Sequence, residues 1–222
     1  MSIAENLKRI KDEIPEDVKL VAVSKTKPVE DILVAYEAGH RLYGENKAQE
    51  LNSKYSQLPE DIKWHFIGHL QTNKVKYIIP FVSLIHSIDR MKLLREINKQ
   101  AAKNNRVVDC LLQFHIATEE TKFGLNMEEA VELLSSDEFK KMKNIKICGV
   151  MGMATNTKNE TVIRKEFRHL KEIRVELKEK FFKSTESFTE ISMGMSGDYK
   201  IAIEEGSTIV RIGSAIFGAR YV

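Results

Sequence analysis

The stretch "ISMGMSGDYKIAIEEGSTIVRIGSAIFG", residues 191–218, puts two apolar, β-prone runs on either side of a short helical segment. The first run, "FTEISMGM" (188–195), begins just upstream; the helical segment covers about 198–205, and "TIVRIGSAIFG" (208–218) is the second run. Two strands joined through a helix pair in parallel, because the crossover returns the chain to the same end of the sheet. Working back toward the amino terminus, the same unit recurs. Further runs are "KLVAVSK" (19–25), "HRLYGEN" (40–46), "KWHFIG" (63–68), "VSLIHSID" (82–89), "VVDCLLQFHI" (107–116) and "IKICGVMGM" (145–153). Helical segments are predicted between them at 28–38, 46–57, 72–78, 90–104, 126–143 with a break, and 159–183. Eight alternating units point to a closed (β/α)8 TIM barrel, with an open doubly wound α/β sheet as the alternative if one short run is miscounted. A further helix at about residues 2–13 precedes the first strand. With only four residues left after the last predicted strand, this helix is expected to take the place of an eighth one in the outer ring. No low-complexity or Pro/Gly-rich linker interrupts the 222 residues, so one domain spanning 1–222 is expected.

The net charge of +3 is the difference between 35 basic and 32 acidic residues scattered along the chain, a pattern that argues against nucleic acid as the main partner. Cys110 and Cys148 lie far apart in apolar runs and read as reduced core thiols. "MSIAENLKRIKDEI" alternates apolar and charged residues at helical spacing, unlike a signal peptide or membrane segment, so a soluble cytoplasmic protein is expected. His40, His69, His86, His115 and His169 show no ligand spacing, so no metal site is predicted; they read as surface or packing residues, with His69 closest to the site. In "RKEFRHLKEIRVELKEKFFK" (164–183), Phe167, Leu170, Ile173 and Leu177 fall on one face, as in a helix of the outer ring.

In such a barrel, function gathers at the carboxyl ends of the strands. Lys25, Glu45, Asn46, His65, Gly68, Met151, Met153, Ser196 and the segment from Arg211 to Ser214 all fall at or near those ends. Closure makes the first and last strands neighbours, bringing Lys25 and Arg211 to one side of the mouth. Desolvation and a neighbouring cation both favour the neutral form of a lysine, and a neutral amine can form a Schiff base. The alternative is a lysine that only reaches into solvent. "MSGD" (195–198) and Gly213–Ser214 expose backbone N–H groups suited to a phosphate.

Taken together, "AVSKTKP" (22–28), "GENKAQE" (44–50), "WHFIGHLQTNKVK" (64–76), "ATEETKFGL" (117–125), "GVMGMAT" (149–155) and residues 191–218 resemble the pyridoxal phosphate homeostasis proteins. These are single-domain relatives of the amino-terminal barrel of alanine racemase. The resemblance implies that Lys25 carries pyridoxal 5'-phosphate as a Schiff base, that Ser196, Gly213 and Ser214 cradle its phosphate, and that Arg211 meets its pyridine nitrogen. Asn46 is implied beside the cofactor, with His65, Met151 and Met193 as further neighbours. "GVMGMATN" (149–156) departs from the more proline-rich loop of many members.

An arginine against the ring nitrogen keeps that nitrogen unprotonated and restrains carbanion chemistry. The short chain leaves little for a lid, and no acid is evident opposite Lys25. The implied function is therefore a carrier or regulator in intracellular pyridoxal phosphate homeostasis, with no catalytic residue assigned. Its implied partners are the cofactor and pyridoxal-phosphate-dependent apo-enzymes, and its implied state is a monomer or weak dimer. One alternative is a low-activity amino-acid racemase with Lys25 as base and His65 or Tyr43 opposite. Another is a Schiff-base aldolase whose phosphate site holds the substrate.

Overall fold

The computed structural model describes residues 2–118 and 123–218. Its elements follow the chain as α1 (Ile3–Glu13), β1 (Lys19–Val23), α2 (Val29–Glu37), β2 (Leu42–Glu45), α3 (Ala48–Tyr55), β3 (Lys63–Phe66), a 3-10 turn (Thr72–Lys74), α4 (Val75–Ile78), β4 (Leu84–Ile88), α5 (Met91–Lys103), β5 (Val108–Gln113), α6 (Met127–Ser135), α7 (Asp137–Lys140), β6 (Ile145–Met151), α8 (Glu160–Phe181), β7 (Glu190–Met195), α9 (Tyr199–Glu204), β8 (Ile209–Ile212) and α10 (Ser214–Phe217). The eight strands pair in sequence order and all in parallel. The ring closes where Lys19 to Ala22 of β1 register with Ile209 to Ile212 of β8. The expected (β/α)8 barrel is therefore observed, and the open sheet is not.

Two apolar layers hold it. Val21, Leu84, Leu111, Cys148, Met151 and Ile209 form a small cluster inside the ring. A larger cluster fills the space between strands and helices, where α8 contributes Phe167, Leu170, Ile173 and Leu177 as its sequence stripe predicts. Both cysteines are free and buried in these layers. Among the described residues, no helix is long and apolar enough to cross a membrane, and no group of three potential ligands gathers to hold a metal.

The strands are shorter than the apolar runs suggest, and the difference matters most at two ends. β1 stops at Val23, so Lys25 lies in the turn beyond it. β8 stops at Ile212, so Gly213 and Ser214 are not strand residues, and the helix that the sequence reading omits does follow, as α10. "SAIFG" reads as a strand because Ala215, Ile216 and Phe217 continue the apolar run; one helical turn instead buries Ile216 and Phe217 together. α1 packs against both α2 and α10, and its Asn6 donates to the Ile216 carbonyl at 3.1 Å, so it does complete the outer ring.

Candidate functional site

At the carboxyl end of the barrel lies a cavity of about 290 Å3, and Lys25, Asn46, Ser196, Arg211, Gly213 and Ser214 all line it. Six residues spread from position 25 to position 214 are thus brought to one place by ring closure. Lys27, Ile67, Met153 and Met195 complete much of the wall.

Lys25 sits in a turn that is held from below. Thr26 has φ of +63°, a conformation costly for a β-branched residue, and its N–H donates to Oε1 of Glu50 at 2.6 Å. The same Glu50 oxygen accepts from Nζ of Lys54 at 2.7 Å. Lys54 is buried and also donates to the Ser24 carbonyl at 2.8 Å and to Oε1 of Glu45 at 2.7 Å. Ser24 Oγ donates to that same Glu45 oxygen at 2.6 Å. Burial raises the pKa of the Glu45 carboxyl, while Lys54 pulls it back down. The "GEN" and "KAQELNSK" segments thus fasten the lysine turn to β2 and α3.

Asn46 follows β2. Its Oδ1 is buried without a hydrogen-bond partner among the described residues, and the residue lines the cavity. Gly68 makes this placement possible, because a Cβ there would meet the Asn46 carbonyl oxygen at 2.2 Å. Across the cavity, Ser196 Oγ accepts from the Gly213 N–H at 3.3 Å, which ties the loop after β7 to the end of β8. A Cβ on Gly213 would press on Val23 of β1, 3.1 Å from its carbonyl oxygen and 3.3 Å from its Cβ, so glycine lets the first and last strands close here.

Arg211 is only 4% exposed, and burial lowers its pKa to about 10, which leaves it a cation at neutral pH. Nη1 donates to Ser192 Oγ at 2.6 Å and Nη2 to the Gly152 carbonyl at 3.1 Å. Ser192 also lies 2.9 Å from Nδ1 of His86, and Nε2 of His86 lies 2.9 Å from Nδ1 of His65. His86 is thus a buried member of a polar row inside the ring. Nothing in the sequence singles out Ser192 or His86, because inward and outward positions of a fully buried parallel strand look alike before register is known.

Three implied neighbours are elsewhere. Met151 is in the inner cluster, Met193 is buried in the larger one, and His65 lines a separate cavity at the opposite end of the barrel. Met153 and Met195 stand where Met151 and Met193 are expected, one strand alternation further along. Tyr43 is also buried away from the mouth, against Trp64 with ring centroids 5.8 Å apart. His69 stacks on Phe123, ring centroids 4.3 Å apart, and does not line the cavity. The loop "GVMGMATN" is pinned by Glu166 of α8, which accepts from the Thr155 N–H and Thr155 Oγ1, both at 2.7 Å. Of "ATEETKFGL", residues 119–122 lie outside the described residues.

The family described as alanine racemase, N-terminal domain, matches residues 1–221. The pyridoxal phosphate homeostasis protein of Aquifex aeolicus is 45% identical over 203 residues, covering 91% of this chain and 87% of the relative. That of Vibrio alginolyticus is 38% identical, covering 99% and 98%. Among solved structures, PipY of Synechococcus elongatus, with pyridoxal phosphate bound, is 31% identical at a TM-score of 0.88, covering 98% of this chain and 100% of that one. With a cavity at the carboxyl end of a closed parallel ring and full-length kinship to these proteins, the chain belongs to the pyridoxal phosphate homeostasis protein family, built on the alanine racemase amino-terminal barrel.

Proposed function

We propose that this protein holds pyridoxal 5'-phosphate reversibly at the carboxyl end of its barrel and serves as a carrier or regulator in the homeostasis of that cofactor. The observation that carries the reading is the convergence of Lys25, Asn46, Arg211 and the Ser196–Gly213–Ser214 cradle on one cavity. The donor set suits the cofactor: an amine for the aldehyde, a buried amide oxygen on Asn46 that has no partner among the described residues, a guanidinium for the ring nitrogen, and hydroxyls and backbone N–H groups for the phosphate. When bound, the cofactor supplies an aldehyde that condenses reversibly with an amine and releases water.

The chain's own residues support holding more than turnover. Arg211 remains cationic and can only donate, so a ring nitrogen facing it stays unprotonated. The Glu45–Lys54–Glu50 network fixes the backbone around Lys25. A racemase requires an acid opposite Lys25, and neither Tyr43 nor His65 lines this cavity. Support for a carrier also comes from the names of the full-length relatives. On this reading the protein works in the cytoplasm and passes the cofactor to apo-enzymes that depend on it, as a monomer or weak dimer.

The test is an absorption spectrum with added pyridoxal phosphate, then borohydride reduction and peptide mapping. The label is expected on the peptide containing Lys25. Lys25→Ala is expected to abolish covalent retention with an unchanged circular dichroism spectrum; retention equal to the parent protein would overturn the assignment. Deuterium exchange at the α-carbon of added amino acids at a rate well above that of free cofactor would overturn the carrier reading in favour of the racemase.

A further inference from the structure

A second cavity, of about 920 Å3, opens at the amino end of the barrel, opposite the site above. Leu42, Leu84 and Ile209 line it together with Lys19, Lys63 and His65. His65 is 6% exposed, and its contact with the cavity lies at the far end of the polar row that reaches Arg211.

The donor inventory fixes the direction of that row. Arg211 only donates, so Ser192 Oγ accepts from it. The hydroxyl proton then goes to Nδ1 of His86, the second partner of Ser192. His86 therefore carries its proton on Nε2 and donates it to Nδ1 of His65. His65 in turn keeps its proton on Nε2, the ring nitrogen that His86 does not engage, and offers an N–H to the cavity. Both rings are neutral, because burial pushes the pKa of His65 down to about 3 and that of His86 well below the usual value. The charges that act on His65 are those of Lys19 and Lys63. Three pairs of opposite charges also stand at the rim, Lys19 with Glu190, Arg41 with Asp61 and Lys146 with Asp109, and Lys11 and Glu16 line it as well. Among the described residues, Lys63 makes no ion pair.

We propose that this amino-end cavity is a second ligand site, binding a compact oxyanion between Nε2–H of His65 and the ammonium of Lys63, and that His86 and Ser192 relay its occupancy to Arg211. An acceptor on Nε2–H makes Nδ1 of His65 a better acceptor, and each hydrogen bond in the row strengthens the next. The guanidinium of Arg211 is thereby drawn toward Ser192. The site stands on the cavity alone; its link to the cofactor rests on the role given to Arg211 above.

The test uses protein labelled with 15N-histidine and 15N-arginine, titrated with inorganic phosphate. It is run cofactor-loaded, so that phosphate is kept out of the carboxyl-end cradle, and again cofactor-free. Ring 15N shifts are expected to report the Nε2–H tautomer at both His65 and His86; the opposite tautomer at His65 would overturn the proposal. Phosphate is expected to shift His65 saturably in both preparations, with an affinity about tenfold weaker in the Lys63→Ala variant. No shift at tens of millimolar phosphate, an equal shift from chloride at matched ionic strength, or an unchanged affinity in Lys63→Ala would overturn the site. The Arg211 guanidinium is expected to move with His65 in both preparations; a stationary Arg211 would overturn the relay. Because the cofactor-free arm reads the site without the cofactor, failure of the carrier reading and failure of this proposal are distinguishable.

Discussion

Arg211 meets two demands at once: it lines the cavity, yet its guanidinium is held from behind by Ser192 and Gly152. A buried cation is tolerated only when its donors are used, and here the backbone carbonyl and the hydroxyl each take one. Arg211→Gln removes the charge and shortens the reach. Cofactor affinity is expected to fall by about 1.5–3 kcal/mol, or roughly 10- to 150-fold, from the loss of one charged hydrogen bond. Equilibrium titration followed by absorbance measures it, and an unchanged Kd would remove Arg211 from the binding set. The partnerless Oδ1 of Asn46 is equally local, but its burial becomes visible only once Gly68 and Asn46 are seen in contact. Sequence alone gives the residue types that suit an aldehyde and a phosphate. It does not give the side-chain direction that separates Met153 from Met151, which depends on the strand register.

At the scale of elements, the short helix α3 braces the turn that carries Lys25. One buried ammonium, on Lys54, bridges the Ser24 carbonyl, the Glu45 carboxylate and Glu50, and Glu50 in turn holds the strained Thr26. Lys54→Met leaves the fully buried Glu45 without its cation. The stability loss is expected to be about 3–5 kcal/mol, since breaking a buried pair strands a charge. Retention of cofactor on Lys25 is expected to weaken as well, because the turn loses its brace. Chemical denaturation and borohydride trapping read the two effects separately; full retention in a destabilised variant would disconnect α3 from the site. Helices with strong amphipathic stripes, such as α5 and α8, are legible because their spacing is set by burial on one face. α10 is not, since three apolar residues, Ala215 to Phe217, satisfy either period.

For the whole molecule, eight repeats of one local unit make the barrel readable, while the polar row inside it is not, because it joins residues from β3, β4, β7 and β8. This interior sets a pH response. Burial holds His40 at about 4 and His65 at about 3, and pushes His86 well below the usual histidine value. The unfolded chain takes up protons that the folded one refuses, so their contribution is complete above about pH 6.5 and declines as pH falls toward those values. Between pH 7 and pH 5 a loss of at least about 2 kcal/mol is expected, partly offset by Glu45, whose raised pKa acts in the opposite sense. Denaturant titrations at the two pH values check it, and equal stability would mean that the buried rings are charged. The closed register of β1 against β8 has one more consequence. A ring of hydrogen-bonded strands has no unpaired margin for a foreign chain to extend, so the eight described strands offer no template for β-sheet association. Clumping on heating must wait until the ring opens, and the onset of turbidity therefore marks the rupture of a seam.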